Sequence, residues 1–120
     1  NLFQNDTWLV NLPEHKEFKK RFGTKAPSEK EIINAYQQFI GNLRNQYPKA
    51  DIICTLGSMD AAKEGSKWKE YIKIAVANLD DKKMHTHFMP YLKSKGHPTI
   101  NNQQTMAKSL IEFIDNNIEW

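Results

Sequence analysis

Residues 28–56 read SEKEIINAYQQFIGNLRNQYPKADIICTL, and this stretch decides the fold because a helix and a strand follow one another in it with their ends marked. Ser28 and Glu31 stand at the spacing of a capping box, in which each side chain satisfies a free amide of the first helical turn. Behind them Ile32, Tyr36, Phe39, Ile40, Leu43 and Tyr47 recur at intervals of three and four, the period of one apolar helical face. Pro48, which cannot continue a helix, stops the pattern. Residues 51–56 (DIICTL) are continuously apolar and β-branched, as in a strand covered on both faces, and Gly57 ends the run.

The flanking sequence extends the alternation. Residues 7–12 (TWLVNL) read as a buried strand closed by Pro13, and Phe18 and Phe22 fit a short helix that Gly23 ends. Downstream, Trp68, Tyr71, Ile72, Ala75, Val76 and Leu79 form a second amphipathic pattern, and residues 83–89 (KMHTHFM) read as a third strand. A final helix over residues 99–117 is expected to bury Met106, Ala107, Leu110, Phe113 and Ile114. Strand alternating with helix is the order of a parallel sheet with right-handed crossovers, so the fold class is α/β. Three strands leave an edge unpaired, and the expectation is self-association or pairing with an amino-terminal segment preceding these residues.

Composition narrows the classes. The 120 residues read as a single domain spanning 1–120, and 17 basic against 14 acidic residues give a net charge of +3 with the lysines dispersed. The run Lys16, Lys19, Lys20, Arg21 and Lys25 is broken by Glu17 and Phe18 and reads as a solvated helix face, so a nucleic-acid partner is not expected. No apolar run reaches the roughly 18 residues of a membrane span, and no membrane partner is expected. Residues 1–7 lack the regions of a secretion signal. The single cysteine, Cys54, forms no internal disulfide and reads as a small buried hydrophobe.

In open α/β sheets the ligand lies beyond the carboxyl ends of the strands, which selects residues 13–15, 57–60 and 90–97. His97 is the foremost candidate there, because an imidazole titrating near neutral pH suits a general base. Ser58, with Asp60 close by, follows a strand on the expected face and could meet His97 as a nucleophile within the chain, but glycine and serine after a strand are more often ordinary turn residues. His85 and His87, two apart on a strand, point to one face as two metal ligands would, but no third ligand is fixed by spacing and no metal is expected. Trp8 and Trp68 fit core packing better than sugar stacking.

Gly96-His97-Pro98-Thr99, followed by Met106-Ala107 and Leu110, resembles the last conserved block of SGNH (GDSL-type) hydrolases, in which the catalytic histidine sits immediately before proline. Residues 33–48 (INAYQQFIGNLRNQYP) are similar to a helix of that family with a Tyr-Pro end, and residues 50–59 (ADIICTLGSM) to its following strand. Residues 6–12 resemble the strand leading to the family's Gly-x-Asn-Asp block. The resemblance covers nearly the whole chain and is strongest to acetyl esterases of the second carbohydrate esterase family. It implies a three-layer flavodoxin-like parallel sheet, here its carboxyl-terminal three strands. It also implies serine and histidine chemistry on acylated carbohydrate or a small ester, no cofactor, and an extracellular or periplasmic setting.

The chain departs from the pattern at several points. No Gly-Asp-Ser occurs, so the nucleophile of the resemblance belongs to an amino-terminal segment outside these residues. Pro13-Glu14-His15-Lys16 stands in place of Gly-x-Asn-Asp, which puts His15 where an oxyanion donor is expected; Gly57 is the other candidate for binding oxyanion or substrate. Ser94 replaces the aspartate that orients the imidazole in many members. These departures keep a second reading open, a non-catalytic domain of the same fold that binds carbohydrate or a protein partner.

Overall fold

The computed structural model describes residues 27–93 and 97–119. Helix α1 (Glu29–Gln46) leads to strand β1 (Ile52–Leu56), a short 3-10 turn (Asp60–Ala62), helix α2 (Trp68–Ala77), strand β2 (Met84–Phe88) and helix α3 (Ile100–Asn117). The strands pair in parallel, with Ile52 opposite Met84 and Leu56 opposite Phe88, so α2 is the crossover that a parallel pair requires. The chain is mixed α/β, as the alternation indicated. The strand and helix expected within residues 7–22 lie outside the described residues, and the sheet among the described residues has two strands. No helix among them is long and apolar enough to cross a membrane.

Local chemistry accounts for the helix ends. The Ser28 side chain accepts from the Glu31 amide while the Glu31 carboxylate accepts from the Ser28 amide at 2.7 Å, closing the expected capping box. The Ser28 hydroxyl, donating to the Glu31 carboxylate at 2.6 Å, and after it the Ser28 amide hold that carboxyl below its ordinary range. Thr99 and Asn102 form the same reciprocal arrangement at the start of α3. After α2 the chain reverses through Asp80, whose φ of 46° is a conformation that aspartate tolerates better than most side chains.

The core lies between one sheet face and the two helices α1 and α2. Ile40, Cys54, Leu56, Ala61, Ile72 and Met84 are buried together, and Tyr36, Ile52, Trp68, Val76, Leu79 and Phe88 pack around them. Cys54 is thus the buried hydrophobe its neighbours implied, and burial pushes its thiol up while the Tyr36 hydroxyl opposes that shift. Tyr36 is raised by its own burial first and by the adjacent thiol second.

Three expectations about burial are corrected. Phe39 and Tyr47 of the α1 pattern are 56% and 61% exposed, because the buried stripe is centred on Ile33, Tyr36 and Ile40. Phe39 lies at the edge of that stripe, and Tyr47 is the cap residue where the chain leaves the helix. Strand β1 is not covered on both faces: Cys54 and Leu56 are buried but Thr55 is exposed, which is the alternation of a sheet covered chiefly on one side. Helix α3 has no buried residue; Met106, Leu110, Phe113 and Ile114 are half-buried and Ala107 is exposed. Its described contact with the sheet runs through Phe113 and two histidine rings, a narrow and partly polar surface.

Candidate functional site

The parallel pairing brings the carboxyl ends of both strands to one end of the sheet, and backbone hydrogen bonds carry the contact into the loops beyond. The Met89 amide donates to the Leu56 carbonyl at 2.9 Å, and the Leu92 amide donates to the Ser58 carbonyl at 3.0 Å. Two of the three loops selected from the sequence, residues 57–60 and 90–97, are therefore joined where their described parts meet. The third, residues 13–15 with His15, lies outside the described residues, as do Ser94 and Gly96.

Ser58 sits at the centre of this junction and is 1% exposed. Among the described residues its hydroxyl has no hydrogen-bond partner. An unmet hydroxyl in the interior carries its full desolvation cost, so its retention at a strand end is the least explained polar group of the described residues. Gly57, beside it, is half-buried, and Asp60 is exposed at the head of the 3-10 turn. His97 is exposed and is followed by half-buried Pro98 and the capping residue Thr99. Thr99 donates from its amide to Asn102 Oδ1 at 2.9 Å, which fixes the backbone two residues beyond the imidazole. Ser58 and His97 are not hydrogen-bonded to one another.

His85 and His87 do point to one sheet face, as alternation requires, and both rings meet Phe113 of α3. His85 Nε2 lies 2.8 Å from Asp51 Oδ1, and this bond, ahead of the neighbouring Lys83, holds the Asp51 carboxyl below its ordinary range. His87 Nε2 lies 3.0 Å from Ser109 Oγ, with its ring 4.7 Å from that of Phe113. Each imidazole is thus engaged by a protein partner. Among the described residues no group of three or more His, Cys, Asp or Glu side chains is arranged to hold a metal ion.

At the opposite end of the sheet Arg44 ties three segments together. Its Nε donates to Asp81 Oδ2 at 2.6 Å, Nη1 to the Tyr47 and Ala50 carbonyls, and Nη2 to the Lys83 carbonyl. The Asp81 carboxyl is held below its ordinary range by the Lys83 amide first and by Arg44 second. The arginine of the Tyr-Pro helix is therefore a structural clamp on the turns that precede both strands.

No family model matches the chain, and no solved structure matches it. The chain is similar to the cellulase/esterase CelE of Acetivibrio thermocellus. The two are 25% identical over 108 residues, a stretch that takes in 82% of this chain and 13% of CelE. The likeness to CelE is thus distant and spans a small part of that protein, which is named for esterase as well as cellulase activity.

Sequence reasoning missed the Asp51–His85, His87–Ser109 and Arg44–Asp81 pairs, all of which join residues at least 22 positions apart. The His-x-His spacing was the only local signal for the first two.

Proposed function

We propose that this chain is part of an SGNH-type esterase that removes acyl groups, acetyl above all, from carbohydrate. The observation that carries the reading is the similarity to CelE, a protein named as an esterase, in a chain whose Gly96-His97-Pro98-Thr99 block resembles the histidine block of that hydrolase class. In this reading His97 is the general base, an exposed residue just ahead of a helix whose start is fixed by the Thr99–Asn102 cap. The nucleophile is a serine supplied from outside these residues, as the absence of a Gly-Asp-Ser block within them requires. Gly57, directly after β1, and His15, which the resemblance puts at the oxyanion position, contribute to holding the oxyanion or the substrate. The segment that carries the serine pairs with this chain along the sheet.

The experiment is hydrolysis of a small aryl acetate by the chain joined to the missing serine segment, beside its His97→Ala variant. A loss of at least a hundredfold in kcat is expected for His97→Ala, the scale of a lost general base. Turnover unchanged by that substitution overturns the assignment of His97.

A second reading is favoured by Pro13-Glu14-His15-Lys16 standing where the family has Gly-x-Asn-Asp and by Ser94 standing in place of its aspartate. There the domain binds carbohydrate or a protein partner without catalysis. A serine segment whose addition produces no turnover while carbohydrate still binds selects this reading.

A further inference from the structure

A groove of about 530 Å³ runs along α1 at the end of the sheet opposite the residues discussed above. Its position follows from the strands: it is bordered by Asp81 and Met84 at the start of β2, whereas Ser58 and residues 89–92 lie beyond the strand ends. At 3.3 Å per residue the five-residue strand separates the two regions by roughly 13 Å. The groove's volume falls within the range of about 300–1,000 Å³ common for small-ligand sites.

The lining has a particular chemistry. One wall carries Asn34, Gln37, Gln38, Asn42 and Asn45, five carboxamides brought to one side of α1 by helical spacing. Leu79, half-buried, supplies the apolar surface of the lining, and Met84 beside it is buried. The charged residues of the lining are Arg44 and Asp81, which are bonded to one another, and Arg44 directs its other donors to main-chain carbonyls. The groove thus presents donors and acceptors in pairs with no uncompensated charge. Gln37 accepts from Asn78 at 3.1 Å, while Asn34, Gln38, Asn42 and Asn45 are exposed.

Gly41 provides a second, independent observation. It stands in the interior of α1 among the carboxamides, where glycine is a poor helix former. Packing does not demand it, since a Cβ there would meet only Leu79 Cδ2 at an ordinary 3.9 Å. What the missing side chain does is leave the wall of the groove open at its middle.

We propose that this groove binds a neutral, hydroxyl-rich ligand, an uncharged oligosaccharide, at a site separate from the ester chemistry. Vicinal hydroxyls each donate and accept, which matches carboxamides and gives neither anions nor cations an advantage. The C–H face of a sugar ring meets Leu79. The site does not depend on the esterase reading and is tested without turnover.

The test is titration of the full chain with xylohexaose, followed by nuclear magnetic resonance of side-chain and backbone amides, with hexagalacturonate as the charged counterpart. Expected are shifts at Asn34, Gln38, Asn42 and Asn45, at least tenfold weaker binding of the charged hexamer, and at least tenfold weaker xylohexaose binding by Gly41→Met, whose side chain fills the opening. The double substitution Gln38→Ala, Asn42→Ala, at two exposed positions, should weaken binding similarly while leaving the fold intact. Shifts confined to residues 57–60 and 89–92, equal affinity for the two hexamers, or unchanged binding by both variants overturns the proposal.

Discussion

Ser58→Ala is the substitution for which the structure makes the least intuitive prediction, a gain of stability from deleting a polar group in the core. The serine is 1% exposed and its hydroxyl has no partner among the described residues, so it is taken as an unmet group. The cost of such an orphaned group is about 1–3 kcal/mol. Alanine removes the group and leaves a void of one oxygen atom, whose lost contacts return part of the gain. The net expectation is a stabilisation of about 1 kcal/mol, or roughly 4 °C in Tm for a domain of this size. The main-chain hydrogen bond from Leu92 to the Ser58 carbonyl is untouched by the change. Urea unfolding followed by circular dichroism measures the effect, and the midpoint should rise with an unchanged slope. A midpoint that falls by the equivalent of 1 kcal/mol or more refutes the reasoning, since it means that the hydroxyl is satisfied in solution.

Two further outcomes test the packing and the charges. Ile40→Ala, at a residue 1% exposed between α1 and the sheet, should lower unfolding stability by about 2–5 kcal/mol, read in the same urea experiment. Asp81 provides the pH dependence: its folded carboxyl is held below the ordinary value of 3.8, so on acidification the unfolded chain takes up a proton first. The stability it contributes is fully present above that ordinary value and is lost as pH falls through the lower, folded one. Urea midpoints measured from about pH 6 down to about pH 3 should decline in the native chain. They should decline less steeply in Asp81→Asn, which is itself weaker at neutral pH because Arg44 loses its partner.

Much of the secondary structure was legible because its signals are local. The Ser28–Glu31 box begins α1, Pro48 follows its end, and the apolar run before Gly57 is β1. Even residues 83–89, a short stretch with two histidines, gave strand β2 at Met84–Phe88, since alternation needs only neighbouring positions. Burial was less legible. Periodicity identifies a stripe but not its width, which is why Phe39 and Tyr47 were placed inside and are exposed. A continuous apolar run such as IICTL cannot state whether one face or two will be covered, because that depends on what else packs there.

The candidate site was legible only in part. His97 and the loop after β1 could be singled out from residue type and position beyond strand ends, and the parallel order brings the loop after β1 beside the residues that follow β2. The burial of Ser58 could not, since serine after a strand is ordinary turn chemistry until the Leu92 amide closes over its carbonyl. By itself the sequence determined which segments are helix and which are strand, together with the parallel arrangement, because caps, periods and strand-helix order are written in adjacent residues. Only the tertiary structure decided that Arg44 clamps the turns before both strands, that both histidines of β2 are held by partners distant in sequence, and that an uncharged groove opens along α1. Each of these joins groups tens of residues apart, and such meetings are set by how the layers stack rather than by any local pattern.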